Sequence, residues 1–143
     1  MDIFLSINRR EEVIQLPIVP QELEVSFPWG NETFQTINQG EIKMIGLEGL
    51  KSITIESFFP AKEYPFARDR TYRSWEYVSI IKRWMRQRVP IRIVTTNTHL
   101  PINLPMTIDN FSYKSQDGSG DVYYTLSLSE FKFVKYQRRR GRV

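Results

Sequence analysis

Residues 117–133 read DGSGDVYYTLSLSEFKF, and no other stretch constrains the fold as tightly. From Val122 the apolar residues fall at every second position (Val122, Tyr124, Leu126, Leu128), with Thr125, Ser127 and Ser129 between them. Period two is the pattern of a strand with one buried face. Phe131 and Phe133 keep the alternation but on odd numbers, so the phase slips by one residue near Ser129 and Glu130, as a β-bulge would make it. The sequence therefore predicts one long, bent strand over 122–133. Asp117-Gly118-Ser119-Gly120 is the hairpin turn that leads into it.

The rest of the chain reads as further short strands. Ile3–Ile7, Glu12–Leu16 and the alternating Leu23, Val25 and Phe27 are predicted strands, the last stopping at Pro28-Trp29-Gly30. The segment 16–20 (LPIVP) cannot be a central strand, because two prolines remove ladder donors. Phe34–Ile37 and Ile42–Ile45 can pair across Asn38-Gln39-Gly40. Lys51–Phe59 alternates again, Ile91–Val94 is β-like, and Met106–Tyr113 is a strand. Thr95–Pro105 reads as a loop or an edge.

One helix interrupts the strands, predicted over about residues 74–88 (SWEYVSIIKRWMRQR). Tyr77, Val78, Ile81, Trp84 and Met85 form a stripe at i, i+3/i+4 spacing, with Glu76, Lys82, Arg83, Arg86 and Gln87 opposite. Ser74 is the expected N-cap, and Pro90 stops the helix. Seven or more strands with one helix between the first group and the last hairpin predict a mainly β (α+β) fold. The expected form is an antiparallel barrel or sandwich with a flanking helix.

At 143 residues the chain is one domain's worth, long enough for a core without disulfides, and it contains no cysteine. The opening MDIFLSINRREE is not patterned as a signal peptide, and no run of apolar residues has the ~18-residue length of a spanning helix. A soluble protein made in a cytoplasm is expected. The net charge of +4 is unevenly spread. Residues 1–61 hold four cations against nine acids, residues 62–92 nine against three, and residues 135–143 five against none. Such segregation can pair one copy with the next or steer an anionic partner.

Little in the sequence points to catalysis. His99, the single histidine, sits in a Thr/Asn/Pro loop without an orienting partner, and no metal-ligand spacing is present. Asp117 and Asp121 flank two glycines, but the ligand cadence of a calcium loop is missing and a hairpin turn explains them. Phosphate-loop and nucleophile-elbow patterns are also missing. No enzyme activity, cofactor or metal is expected. Most aromatics fall on core faces by spacing, Trp75 and Trp84 on the helix and Phe131 and Phe133 on the long strand. Trp29, between Pro28 and Gly30, is the aromatic whose context predicts exposure.

Five stretches occur in order across nearly the whole chain: LPIVPQELEVS, KSITIESFFPAKEYPF, WEYVSIIKRWM, PIRIV and DGSGDVYYTLSLSEFKFV. Together they resemble the N-terminal domain of the LysM-bearing tail and baseplate (tube-initiator) proteins of contractile phages, PBSX-like prophages and phage-tail-like bacteriocins. The resemblance implies a tail-tube-like domain, expected here over 1–136 and followed by a basic tail over 137–143. Members usually continue into a LysM module, from which this chain departs, so no LysM module is expected and peptidoglycan binding is not carried over. It further implies a hexameric ring in the baseplate of the particle, assembled in the host cytoplasm. The ring would join the central spike hub to the tail tube or to a second tube-initiator protein, with baseplate wedge proteins as further neighbours.

A ring of identical subunits needs a head-to-tail interface, which complementary charged segments can supply. The residues expected at subunit or partner contacts are Trp29, Arg83, Arg86, Arg138, Arg139, Arg140 and Arg142. The alternative is a small nucleic-acid-binding barrel using the arginine tail. It ranks second because a single-strand binder needs exposed aromatics among its cations, and here periodicity places most aromatics in the core. No membrane partner is expected.

Overall fold

The computed structural model describes residues 1–115, 118 and 120–133. Nine strands and one helix run in the order β1 (Asp2–Ile7), β2 (Glu12–Gln15), β3 (Glu24–Ser26), β4 (Glu32–Thr36), β5 (Gly40–Met44), β6 (Ser52–Phe59), α1 (Ser74–Gln87), β7 (Ile91–Thr96), β8 (Asn103–Ser115) and β9 (Val122–Glu130). Seven strands form one sheet in the order β2-β1-β7-β8-β9-β6-β3, and β4 and β5 pair separately. Every pairing is antiparallel. The described residues are mainly β with a single helix, as the alternation predicts.

The sheet rolls up. Along the ladder β2 and β6 stand five strand spacings apart, roughly 24 Å if flat. Yet Ile18, three residues beyond the end of β2, accepts a hydrogen bond from Ser57 Oγ of β6 at 3.0 Å. Three residues reach about 10 Å at most. The two sides of the sheet must therefore curl toward each other, with the proline-bounded segment 16–20 filling the gap. This gives a barrel-like fold without a continuous ladder, and it explains why Leu16 and Ile18 are buried outside any strand.

Inside lie Ile3, Leu5, Ile53, Ile55, Ile91, Ile93, Val122, Leu126 and Leu128. Helix α1 adds Tyr77, Val78, Ile80, Ile81 and Trp84 to the same cluster. Phe59 is sandwiched between sheet and helix, with ring centroids 4.1 Å from Tyr124 and 4.9 Å from Tyr77. Offset aromatic stacking adds to the apolar area these rings remove from water. The outward positions of β9 carry Tyr123, Thr125, Ser127 and Ser129, and this mostly polar face against the buried one produces the alternation seen in sequence.

Several expectations need correction. Strand β9 carries no bulge and ends at Glu130; its pairing with β6 is regular from Val122 to Ser129. The register shift lies in the partner strand, between Ile108 and Asn110 of β8. There Asp109 accepts a hydrogen bond from Thr107 Oγ1 at 3.0 Å, a local side-chain bond of the kind that competes with ladder regularity. The phase slip in sequence marks the strand's end: Phe131 leaves the β9 ladder to donate its N–H to Pro105 O, and Phe133 is exposed. Strand β8 begins at Asn103, earlier than expected. Pro105 is tolerated because the β8–β9 ladder starts only at Met106. Strand β3 stops at Ser26, so Phe27 lies outside it.

On the helix, the N-cap is Arg73 and Ser74 is buried as the first helical residue. Glu76 Oε1 accepts the Arg73 N–H at 2.9 Å, which places the start one residue early. Arg88 ends the helix in a left-handed conformation (φ 58°), followed by Pro90. Met85 is exposed on the flank of the stripe and Ile80 is buried instead. Trp75 is 53% exposed rather than core, with its ring edge-to-face with Tyr113. Gly118 and Gly120 both take positive φ, a region glycine enters without the penalty of a Cβ.

Candidate assembly surface

Strands β3 and β6 do not simply join at a turn. Between them the chain runs out as an arm over residues 27–50. Its pairing continues that of the barrel: Ser26 opposes Ser52, Trp29 opposes Glu48, and Glu32 opposes Met44. Each step advances three residues on one side and four on the other, so two extra residues sit on the returning side. Those breaks contain Gly49 and Gly46, residue types that suit a bulge. At Gly46 a Cβ would lie 1.8 Å from the Gly30 carbonyl oxygen, so the close approach at the arm's base requires glycine.

The base is tied by a dense set of bonds. Gly30 N–H donates to Leu47 O at 2.7 Å and Gly49 N–H to Pro28 O at 2.8 Å. The indole N–H of Trp29 donates to Gly46 O at 2.7 Å, and Gly46 N–H donates to Asn31 Oδ1 at 2.8 Å. The arm is thus a hydrogen-bonded ribbon with no core of its own. Phe34, Ile37, Ile42, Met44, Ile45 and Leu47 are all exposed, Ile37 fully and Ile45 by 86%. A two-stranded ribbon alone is marginal in water, and apolar side chains gathered on one projection mark a contact surface.

A second feature lies at the same end of the barrel. Register aligns Ser26 and Ser52, at the arm, with Ser129 of β9, and on the far side of β8 it aligns Ile91 with Ile7. There a groove of about 760 Å³ opens, lined by Ser6, Arg9, Arg10, Arg92, Pro105 and Phe133 among others. Ser6, Arg92 and Pro105 form one row across β1, β7 and β8. The β1–β2 turn above them holds Asn8, Arg9 and Arg10 in three successive positive-φ conformations (47°, 55° and 69°). Asn tolerates this region; each arginine there costs on the order of 1 kcal/mol. Arg92 Nη1 donates to Asn103 Oδ1 at 2.7 Å, which holds its guanidinium across the row.

The residues expected at contacts are not gathered in one place. Trp29 sits on the arm, 47% exposed and edge-to-face with Phe27. Arg83, on the outer face of α1, pairs with Glu12 of β2 in the same chain. A second ion pair, Arg68 to Asp2 at 3.7 Å, likewise joins the basic central segment to the acidic first segment within one chain. Part of the charge segregation is therefore answered internally. Arg86 is exposed in the last turn of α1. Arg138, Arg139, Arg140 and Arg142 lie outside the described residues. His99 is exposed in the β7–β8 loop.

Asp121 is buried, accepting the Ala61 N–H at 2.8 Å and the Tyr64 hydroxyl at 2.7 Å. It fastens the loop after β6 to the start of β9. Among the described residues no group of three or more His, Cys, Asp or Glu side chains could hold a metal ion, and no helix is long and apolar enough to cross a membrane. The sequence reading missed both the arm's exposure and the groove. The arm's alternation was legible as a hairpin, but only the lack of a facing layer among the described residues shows that its apolar residues are uncovered.

The fold and this surface define a class: a rolled antiparallel sheet with one covering helix and a projecting apolar ribbon. No family model matches the chain. It is 33% identical over 128 residues, 88% of its length, to the uncharacterized protein YqbP of Bacillus subtilis (strain 168), and it spans 58% of that protein's length. Among solved structures it is similar to a chain in the tail of an empty gene transfer agent particle, computed with helical refinement and C6 symmetry. That match has a TM-score of 0.57 at 12% identity and covers 96% of each chain. A chain in the virion of the native gene transfer agent particle matches with a TM-score of 0.52 at 13% identity, again over 96% of both. At these identities the likeness is one of fold.

Proposed function

We infer that the protein is a non-enzymatic structural component of a contractile phage tail or phage-tail-like particle. Within the particle it forms a baseplate or tube-initiator ring that joins the central spike hub to the tail tube. The observation that carries this reading is the arm: a hydrogen-bonded ribbon whose large side chains are left uncovered by the described residues. Burying such side chains is worth about 1.5–3 kcal/mol each, so the arm is stable where a neighbour covers it. The fold likeness to a chain of a tail with C6 symmetry supports a sixfold arrangement. The 58% share of YqbP leaves room in that relative for a further module of the kind the LysM-bearing resemblance implies.

Copy number tests the proposal. Quantitative mass spectrometry of purified particles from a producing strain should find six copies, or a multiple of six, for each tail. One or two copies per tail, or a protein missing from the particles, would sink the ring-forming reading.

A further inference from the structure

We propose that the arm of one copy seats its tip in the arginine groove of the next copy, so that arm and groove are the two halves of one head-to-tail interface. This rests on the ring-forming reading above and adds where the contact falls. The two features match in chemistry. The arm carries Glu32, Glu41 and Glu48 against a single lysine, Lys43, beside its exposed Phe34, Ile37 and Ile42. The groove offers three guanidiniums from Arg9, Arg10 and Arg92 over an apolar floor that includes Pro90, Pro105 and Phe133. Glu48 already faces Lys132 of its own chain at 3.8 Å, which leaves the exposed Glu32 and Glu41 to meet arginines on the two sides of the groove. Glu32 lies on the face shared by Phe34 and Ile42, and Glu41 on the opposite face near the tip.

They also match in position. Both open at the same end of the barrel: the groove takes in β1, β7, Pro105 of β8 and Phe133 after β9, while the arm springs from β3 and β6. The arm runs on past the ends of β3 and β6, so its tip reaches outside its own barrel toward a second copy. A contact between two different surfaces is the heterologous geometry a closed ring requires. The run of three left-handed residues holds Arg9 and Arg10 at the groove, and strain of this kind collects where backbone placement serves contact. Charge-assisted pairing of arginine with carboxylate strengthens once the apolar side chains exclude water around it.

The absence of native cysteine permits a direct test on the full-length chain. Chains carrying Ile37→Cys are mixed with size-tagged chains carrying Arg9→Cys under mild oxidation, and mixed disulfide dimers are counted. Light scattering of the unmodified chain at the same concentration reads multimer formation separately. The control replaces Arg9→Cys with His99→Cys, in the loop at the other end of the barrel. Mixed dimers should form with Arg9→Cys and fall several-fold with His99→Cys. Adding Arg92→Glu should lower the yield several-fold, and adding Glu41→Arg on the partner chain should restore it. Multimers with no preference for Arg9→Cys over His99→Cys would overturn the arm-in-groove contact and leave the ring standing. A chain that gives no mixed dimers at any concentration would overturn the arm-in-groove contact, whereas a copy number per tail that is not a multiple of six would overturn the ring reading beneath it.

Discussion

Trp29 and Gly46 hold the arm to the barrel: the indole N–H of the first donates to the carbonyl of the second at 2.7 Å, across a gap too narrow for any side chain at position 46. The bond lies outside the buried cluster, so its loss should act locally. Gly46→Ala and Trp29→Ala should leave the melting of the barrel within about 0.5 kcal/mol of the parent. Amide hydrogens over 29–47 should exchange much faster in both variants, because the arm's bonds open independently of the core. Equal loss of protection in β6 and β9 would show that arm and barrel unfold as one unit.

How much of this was legible in sequence follows from what local pattern can encode. Val122 to Leu128 announced a half-buried strand because each apolar residue meets the same core. The helix stripe through Tyr77, Ile81 and Trp84 was readable for the same reason. The bulge was assigned to the wrong strand because Phe131 continues the apolar alternation past the point where the ladder ends, and spacing does not report a missing partner. Trp75 looked like core because it lies beside the stripe; only the placement of the sheet shows that it faces out toward Tyr113. The arm shows the same limit. Phe34, Ile42 and Met44 alternate like any strand, and exposure depends on the absence of a second layer. The groove joins residues 6–10, 90–92, 105 and 133, a set that only the β2-β1-β7-β8 order brings together.

Ile81 is fully buried at the centre of the face that α1 turns to the sheet. Ile81→Asp would place an unpaired carboxylate among Tyr77, Trp84 and the strand isoleucines, which costs several kcal/mol. Lys82→Ala, one position on, should change stability far less, since its ammonium reaches out to the Tyr113 hydroxyl at 3.0 Å. Thermal melts of the two variants check the orientation of the helix. Comparable losses from both would mean that the buried face is assigned wrongly.

Tyr77 and Tyr124 give the fold an alkaline limit. Burial is the main cause that holds both hydroxyls protonated well above the ordinary value of 10.0, and for Tyr77 the Asp69 carboxylate, accepting its hydrogen bond at 2.7 Å, adds to it. In the unfolded chain both tyrosines ionise near 10.0, so above that pH the unfolded state binds fewer protons than the folded one. Their contribution is complete below pH 10 and is lost as the pH rises past it. Denaturant midpoints should hold steady from pH 8 to about 9.5 and then fall, and Tyr124→Phe should make the fall shallower. An unchanged slope in that variant would remove Tyr124 from the explanation.

Arg83 was expected at a partner contact, yet it pairs with Glu12 in its own chain, and both side chains remain substantially exposed. Exposed pairs of this kind contribute between 0 and about 1 kcal/mol. Arg83→Ala should therefore melt close to the parent, and Glu12→Gln should do the same. Any loss of particle incorporation in Arg83→Ala then reports on contact with a neighbour rather than on folding. A melting loss of several kcal/mol would instead make the pair a structural clamp between α1 and β2.

The arginine tail separates the two functional readings. The described barrel closes its core with residues up to Leu128, and Glu130 ties the strand's end back to Lys51 at 3.9 Å. Removing residues 137–143 should leave folding intact. Clustered guanidiniums repel one another and lose side-chain entropy when fixed, so an acidic neighbour is what makes ordering them favourable. In the ring reading the truncated chain folds normally but fails to enter particles, while its affinity for DNA, weak in the full chain, hardly changes. In the nucleic-acid reading the full chain binds DNA with an affinity that falls steeply as salt is added, and truncation abolishes it. Binding measured at two salt concentrations, beside particle incorporation of the same two proteins, decides the matter: salt-sensitive binding that vanishes on truncation while incorporation persists would make the tail a phosphate clamp.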